Sequence, residues 1–205
     1  MKKTLLKIKY LVKCFKEEKR MEIKVGISNR HVHLTKEDKD ILFGNDYELT
    51  RRNDLVQPGE YACEETVVIE ANGKQKQYVR VLGPLRNYTQ VEILKSDSDY
   101  LEINAPYRNS GELEDAEEIT IIGPKGTVTK NCCIIAARHI HTNNFDNLGY
   151  DNNEIVSVKF NDTIINNVYI KKNDNYALEL HLDKDDSKIF NINTGDTVEI
   201  IKKGD

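Results

Sequence analysis

Apolar and polar residues alternate along much of the chain. Met21, Ile23, Val25 and Ile27 interleave with Glu22, Lys24, Gly26 and Ser28, which is the period of a half-buried strand. Strand-like runs of the same kind return at 65–69, 78–82, 89–94, 118–122, 156–160, 167–170, 176–182 and 197–200. Turn signals separate them: Pro58-Gly59, Asn72-Gly73, Gly83-Pro84-Leu85-Arg86, Gly123-Pro124-Lys125-Gly126, Asn161-Asp162, Asn173-Asp174-Asn175 and Gly195-Asp196. A short helix is predicted after Thr35, with Asp38 completing its capping pattern, Ile41-Leu42-Phe43 as its apolar part and Gly44 as its stop. Many short strands at roughly ten-residue spacing, with few helices, predict a mainly β fold of sandwiches or barrels. Residues 1–20 depart from this pattern. Leu5, Ile8, Val12 and Phe15 recur at helical steps among lysines, so a basic amphipathic extension is expected there. It docks onto a partner, covers its own body or lies on an anionic surface, and Met21 is an alternative start.

At 205 residues and 39% apolar content, the chain suffices for one large β domain or two small ones. It contains no run near the ~18 apolar residues of a membrane span. Its N-terminus lacks both a continuous apolar stretch and a small-residue cleavage site, so neither a membrane span nor export is expected. Cys14, Cys63, Cys132 and Cys133 show no CxxC spacing and read as reduced thiols. The net charge of -4 conceals an asymmetry: eight basic residues against Glu17 and Glu18 give residues 1–20 a charge of +6, which leaves -10 for the body. So acidic a body argues against general nucleic-acid binding, and an anionic substrate would need a few placed arginines.

The candidate chemistry lies in a phrase used twice, Asn29-Arg30-His31-Val32-His33 and Ala137-Arg138-His139-Ile140-His141. On an extended segment, residues two apart share a face, so each phrase presents two imidazoles together and turns Val32 or Ile140 away. The chain has five histidines, and the fifth, His181, shares the polar face of its strand with Glu179 while Leu178, Leu180 and Leu182 share the other. Glu92 likewise faces away from Val91 and Ile93, where its carboxylate is placed to join imidazoles. Imidazole donors suit zinc, copper, nickel or iron, with zinc the default for want of redox liability.

Several longer motifs accompany these: Ser-Asn-Arg-His-Val-His-Leu at 28–34, Glu-Glu-Thr-Val at 64–67, Val-Arg-Val-Leu-Gly-Pro-Leu-Arg at 79–86, Thr-Gln-Val-Glu at 89–92, Ala-Pro-Tyr-Arg-Asn-Ser-Gly at 105–111, Ile-Ile-Ala-Ala-Arg-His-Ile-His at 134–141 and Leu-Glu-Leu-His-Leu-Asp at 178–183. With them the chain, from about Val25 to Ile201, resembles the PduL-type phosphate acyltransferases of bacterial microcompartments, also called phosphotransacylases or phosphate propanoyltransferases. The resemblance implies two similar β-barrels with short helices, the active site between them, two zinc ions and a homodimer or higher homo-oligomer. It implies discontinuous units, 21–29 with 138–205 in one barrel and 30–137 in the other, behind the extension 1–20. Carried over by motif, His31, His33 and Glu92 hold the metal that meets the coenzyme A sulfur, His139, His141 and His181 hold the other, and Arg86 binds phosphate. The amphipathic tail has the character of an encapsulation peptide for shell proteins, which implies a microcompartment lumen as an alternative to the cytoplasm.

The expected reaction interconverts a short acyl-CoA (propanoyl or acetyl) plus phosphate with acyl phosphate plus coenzyme A. It needs a thiolate, a polarised carbonyl and an oriented phosphate; zinc supplies the first two as a Lewis acid and Arg86 the third through its bidentate fork. Arg30, Arg108 and Arg138 are the other candidates for the phosphate role. An acyl-enzyme on Cys63 or Cys132 is disfavoured, since neither has a histidine within a few residues. The competing readings are a dizinc thioester or phosphoester hydrolase and a non-catalytic, metal-binding, shell-associated protein.

Overall fold

A computed structural model describes residues 21–146 and 148–201. The basic amphipathic helix expected within residues 1–20 lies outside the described residues. In chain order the elements are β1 (Glu22–Ser28), β2 (His31–His33), α1 (Lys36–Phe43), β3 (Arg51–Asp54), β4 (Tyr61–Ala71), β5 (Lys74–Gly83), β6 (Gln90–Ile93), α2 (Lys95–Leu101), β7 (Tyr107–Arg108), β8 (Glu117–Ile122), β9 (Thr127–Ala136), β10 (His139–Thr142), β11 (Ile155–Phe160), β12 (Thr163–Lys172), β13 (Glu179–Asp183), α3 (Lys184–Phe190) and β14 (Thr197–Ile201). The fold is mainly β, as the alternation predicts.

The strands close two six-membered rings. One runs β2-β6-β9-β8-β4-β5 and back to β2, with β3 and β7 at its margins. The other runs β1-β13-β10-β12-β11-β14. Pairing senses match step for step: β2 is parallel to β5 and antiparallel to β6, as β10 is parallel to β12 and antiparallel to β13. β6 is parallel to β9 as β13 is parallel to β1, and the remaining pairs are antiparallel in both rings. By this correspondence β1 fills in the second barrel the place that β9 fills in the first. The strand leading into each His-x-His strand therefore belongs to the opposite barrel, and the two barrels are tied by two crossings of the chain.

Each barrel has its own apolar interior. The first buries Val32, Val67, Ile69, Val79, Val81, Val91, Ile119, Ile121 and Ile135 with Cys63, Cys132 and Cys133; the second buries Ile23, Val25, Ile140, Val158, Ile165, Ile170, Leu180 and Val198. At ~25 cal/mol per Å² of apolar area, such residues supply most of the drive for closure. The predicted helix forms as α1, with the Asp38 backbone N–H donating to Thr35 Oγ1 at 3.1 Å and Gly44 ending it at φ 109°. Asn72 and Gly73, both at positive φ, make the predicted tight β4–β5 turn.

Some elements have no alternating signature. Residues 132–135 of β9 are all buried, so the period of two disappears where the strand is covered on both faces. α2 and α3 have seven residues each, too short for a helical period, although Asp183 caps α3 by accepting from the Asp185 and Asp186 N–H groups. The strand expected at 176–182 begins at Glu179, because Ala177 is tied instead to Gln57 of the other barrel: its N–H donates to Gln57 Oε1 at 3.2 Å and its carbonyl accepts from Gln57 Nε2 at 3.1 Å.

Candidate active site

Val32 and Ile140, fully buried, point into their own barrels. The pleat therefore turns His31, His33, His139 and His141 outward from the barrel interiors. These outer faces are covered all the same: His31, His33 and His139 are each buried. Glu92 of the first barrel lies within electrostatic reach of His181 of the second, as does His31. The two imidazole faces thus look at one another across the junction of the barrels.

Register places the companions. His31 pairs with Glu92 and His33 with Gln90 across β2–β6; His139 pairs with His181 and His141 with Glu179 across β10–β13. Glu92 and His181 are thus equivalent positions. His31 Nδ1 bonds the Asn29 carbonyl at 2.8 Å and His139 Nδ1 bonds the Ala137 carbonyl at 2.7 Å. A carbonyl only accepts, so each Nδ1 carries a proton, and in the neutral imidazole each Nε2 keeps its lone pair. His31 Nε2 faces Glu92 Oε2 at 3.3 Å.

The arginines of the repeated phrase are structural. Arg30 grips Asp97 of α2 through Nε at 2.6 Å and Nη2 at 2.7 Å, and Arg138 grips Asp186 of α3 with Nη2 at 2.6 Å. Each ties a His-x-His strand to the helix that follows its barrel's third candidate ligand. Arg108 Nη1 bonds the Tyr107 carbonyl, and the arginine faces Asp115 at the surface. Arg86 is different. Its Nη1 donates to Tyr88 Oη at 3.2 Å and Ser110 Oγ at 3.0 Å, and its Nη2 to Glu60 Oε1 at 2.7 Å. Ser110 Oγ also accepts from Gln90 Nε2 at 2.9 Å, and Gln90 Nε2 donates to Glu92 Oε1 at 2.5 Å, so one chain of bonds links Arg86 to Glu92. Gln90, Ser110 and Glu60 were not identified from the sequence as site residues, although Gln90 stands two residues before Glu92 on the same face.

Electrostatics keep most of the imidazoles as lone-pair donors. Burial holds His33 and His139 well below the ordinary imidazole value, and takes His141 to about 3 and His181 to about 4. Burial also opposes protonation of His31, but Glu92 more than offsets it and raises His31; the same pairing, against burial, holds Glu92 well below the usual carboxylate range. Among the described residues the cysteines contribute no nucleophile: burial raises the Cys133 thiol and pushes Cys63 up to about 11 and Cys132 up to about 12.

These residues fit a metal ion. His31, His33 and Glu92 bring donor atoms within 4.8 Å of one another, the one such group among the described residues. His33 Nδ1 and His141 Nδ1 are buried without a hydrogen-bond partner, a costly state that coordination relieves. In the second set the His139 and His141 rings lie 4.5 Å apart, and His181 stacks on His139 at 4.8 Å while its Nε2 bonds Ser28 Oγ at 2.9 Å. Its rings are assembled, but its donor atoms converge less than those of the first set. No helix among the described residues is long and apolar enough to cross a membrane.

The chain matches the phosphate propanoyltransferase family over residues 24–193, a span that holds both imidazole sets and Arg86. It is 42% identical to the phosphate propanoyltransferase of Thermotoga maritima over 185 residues, 87% of this chain and 88% of that protein. It is 39% identical to that of Rhodopseudomonas palustris over 188 residues, covering 89% and 83%, and 38% identical to that of Lachnoclostridium phytofermentans over 186 residues, covering 87% of each. Two matched barrels facing each other through paired imidazoles, together with a match across nearly all of both, place this chain in the phosphate propanoyltransferase family.

Proposed function

We propose that the protein transfers a short acyl group, propanoyl or acetyl, between coenzyme A and inorganic phosphate, with two zinc ions as cofactors. The observation that carries this reading is the buried junction where the candidate ligands of both barrels meet Arg86. His31, His33 and Glu92 would hold one ion and His139, His141 and His181 the other. When bound, the zinc supplies Lewis acidity that favours the thiolate of coenzyme A and polarises the acyl carbonyl.

The chain's own residues do the rest. Arg86 binds phosphate through its planar fork, and Tyr88, Ser110 and Glu60 fix the plane of that fork before substrate arrives. A phosphate oxygen attacks the acyl carbon, the carbon–oxygen bond forms, the carbon–sulfur bond breaks and the sulfur leaves with the electron pair. Gln90 holds Glu92 in place, while the Asn29 and Ala137 carbonyls fix the His31 and His139 tautomers. Partial burial of this surface limits the water that would hydrolyse acyl phosphate.

The strand pairings support division of the chain into 21–29 with 138–205 and 30–137. The acidic body and basic stretch 1–20 support docking of that stretch on a partner, a microcompartment shell protein or another copy of this chain; loss of co-assembly on deleting residues 2–20, with turnover retained, tests this. The activity test is thiol release from propanoyl-CoA and acetyl-CoA with and without phosphate. Phosphate-dependent release is expected. Phosphate-independent release would make the protein a hydrolase, and absence of turnover from zinc-loaded protein would make it non-catalytic. Arg86→Ala should raise the phosphate requirement steeply at unchanged zinc content, and unchanged phosphate dependence would remove Arg86 from that role.

A further inference from the structure

Lys171, near the end of β12, pairs in register with His141. Residues paired across neighbouring strands share a face, so the lysine stands on the imidazole side of the second barrel. The equivalent position in the first barrel, paired with His33, is Leu82. The second barrel thus carries an ammonium where the first carries an apolar side chain.

The groups that act on Lys171 come from the other barrel: Glu92, Glu112 and Glu60 as carboxylates and Arg86 as a cation. None of the carboxylates comes within the 4.0 Å of an ion pair, and among the described residues Lys171 has no hydrogen-bond partner. Glu60 is instead bonded to Arg86, and Glu92 to His31 and Gln90. The Lys171 side chain is partly buried, and an ammonium there with no carboxylate in ion-pair contact is open to a counter-charge from something bound at the junction. The reaction itself supplies it, because one of its substrates is a small dianion.

We propose that Lys171 is a second phosphate-binding residue, closing on the same anion that Arg86 holds from the opposite barrel. The proposal rests on the phosphate-dependent acyl transfer described above and extends it. Arg86 has one nitrogen committed to Glu60 and brings its charge already half-neutralised; Lys171 brings an uncommitted charge. Phosphate held between them would be gripped by both barrels, so the nucleophile is placed only when the junction is intact. The phosphates of coenzyme A offer the same chemistry, and which substrate constant moves separates the two sources.

The test is steady-state kinetics of the zinc-loaded full chain carrying Lys171→Met. The KM for phosphate should rise about tenfold or more, the KM for acyl-CoA should stay put, and zinc content should be unchanged. Lys171→Arg should recover most of the loss. An unchanged phosphate KM, or a rise confined to acyl-CoA, would overturn the assignment. Should Lys171→Met not fold, acylation of the wild-type protein by an amine-reactive reagent, read by peptide mass spectrometry, decides instead. Inorganic phosphate should slow labelling of Lys171 several-fold and leave the exposed Lys36 unaffected; equal labelling would overturn the proposal. If wild-type thiol release proves independent of phosphate, the acyl-transfer reading fails, while the labelling experiment still reports on Lys171.

Discussion

The two barrels share their ring order, their pairing senses, their His-x-His strand, its arginine clamp and its carbonyl-held first imidazole, yet they differ at the positions facing the junction. Glu92 stands where the second barrel has His181, Gln90 where it has Glu179, and Leu82 where it has Lys171. A carboxylate with two imidazoles neutralises part of a divalent charge; three neutral imidazoles neutralise none. The scaffold repeats what positions a ligand and varies what sets the charge. On the proposed two-ion reading, the first set would be a tight, partly neutralised centre and the second a more electropositive one.

Removing the third candidate ligand of each set should have the largest effect. Glu92→Ala and His181→Ala are each expected to lower turnover at least about a hundredfold, since even partners outside the ligand set commonly cost ten- to a hundredfold. Each should also lose about one zinc equivalent in elemental analysis. Glu92→His makes the first set resemble the second. It should retain metal while changing turnover, and full activity in that variant would erase the distinction between the sets.

Acid should separate the sets next. For a histidine whose folded value is depressed, the unfolded chain binds the proton first, so stability is full above about 6.5 and is lost as pH falls toward the folded value. In the second set this holds for His139, for His181 down to about 4 and for His141 down to about 3. In the first set His33 behaves likewise, but His31 is raised and contributes the opposite sign, its stabilisation being present below about 6.5 and lost as pH rises. Chelator-treated protein should therefore lose thermal stability between pH 6.5 and 4. His181→Gln should flatten that loss, whereas His31→Gln should leave its slope between pH 6.5 and 4 nearly unchanged and remove a loss of stability that otherwise occurs as pH rises above about 6.5. Equal pH profiles for the two variants would contradict the assigned signs.

The arginine clamps look alike but are not equally insured. Buried Asp97 receives Lys76 at 3.0 Å as well as Arg30, whereas Asp186 receives Arg138 alone among the described side chains. Arg138→Ala should cost about 1.5–3 kcal/mol in urea unfolding, and Arg30→Ala less, because Asp97 keeps a charged partner. Neither should change the phosphate KM, in contrast to Arg86→Ala. Equal losses at the two clamps would mean that Lys76 contributes nothing.

How much of this was legible in the sequence follows from the period of each segment. Strands with one face outward, such as β1, show alternation, and the same alternation puts His31 with His33 and Glu179 with His181 on shared faces. β9 hides its strand signal because four successive residues are buried. The two His pairs were visible because the phrase repeats; strand alternation put Glu92 and His181 on polar faces, but their assignment to the two sets came from the family resemblance. The arginines beside the histidines were weighed for phosphate; their clamp on Asp97 and Asp186 depends on where α2 and α3 pack, which no local pattern encodes. Lys171 gave no local signal, since a lysine near a strand end reads as a solvated residue until the other barrel is placed against it. The match of β1 to β9 depends on ring closure and was not visible in the sequence, whereas family resemblance had pointed to β1 belonging with the second barrel.

The smallest expected effect concerns what holds the barrels face to face. On one side, the Ser96 N–H and Oγ of α2 both donate to Asp185 of α3 at 2.8 and 2.9 Å, a contact at the exposed surface. On the other, Gln57 donates to the Ala177 carbonyl and to Glu179 Oε2 at 3.4 Å, in a buried setting. Gly26 leaves space for that carboxylate, since a Cβ there would come within 2.7 Å of Glu179 Cδ. The equivalent position beside Glu92 is Ile134. Burial raises Glu179, and the Gln57 bond only partly counters it, so the carboxyl depends on its one amide partner for the charged form. Gln57→Ala should cost about 1 kcal/mol, the net worth of an ordinary buried hydrogen bond, and Ser96→Ala still less because water replaces its exposed hydroxyl bond. The informative readout is turnover rather than stability. Loosening the Gln57 side should lower kcat by a few-fold while leaving zinc content intact, because Ala177 and Glu179 lead directly into His181; a Gln57→Ala enzyme with unchanged kcat would show that the Gln57 contact does not position His181.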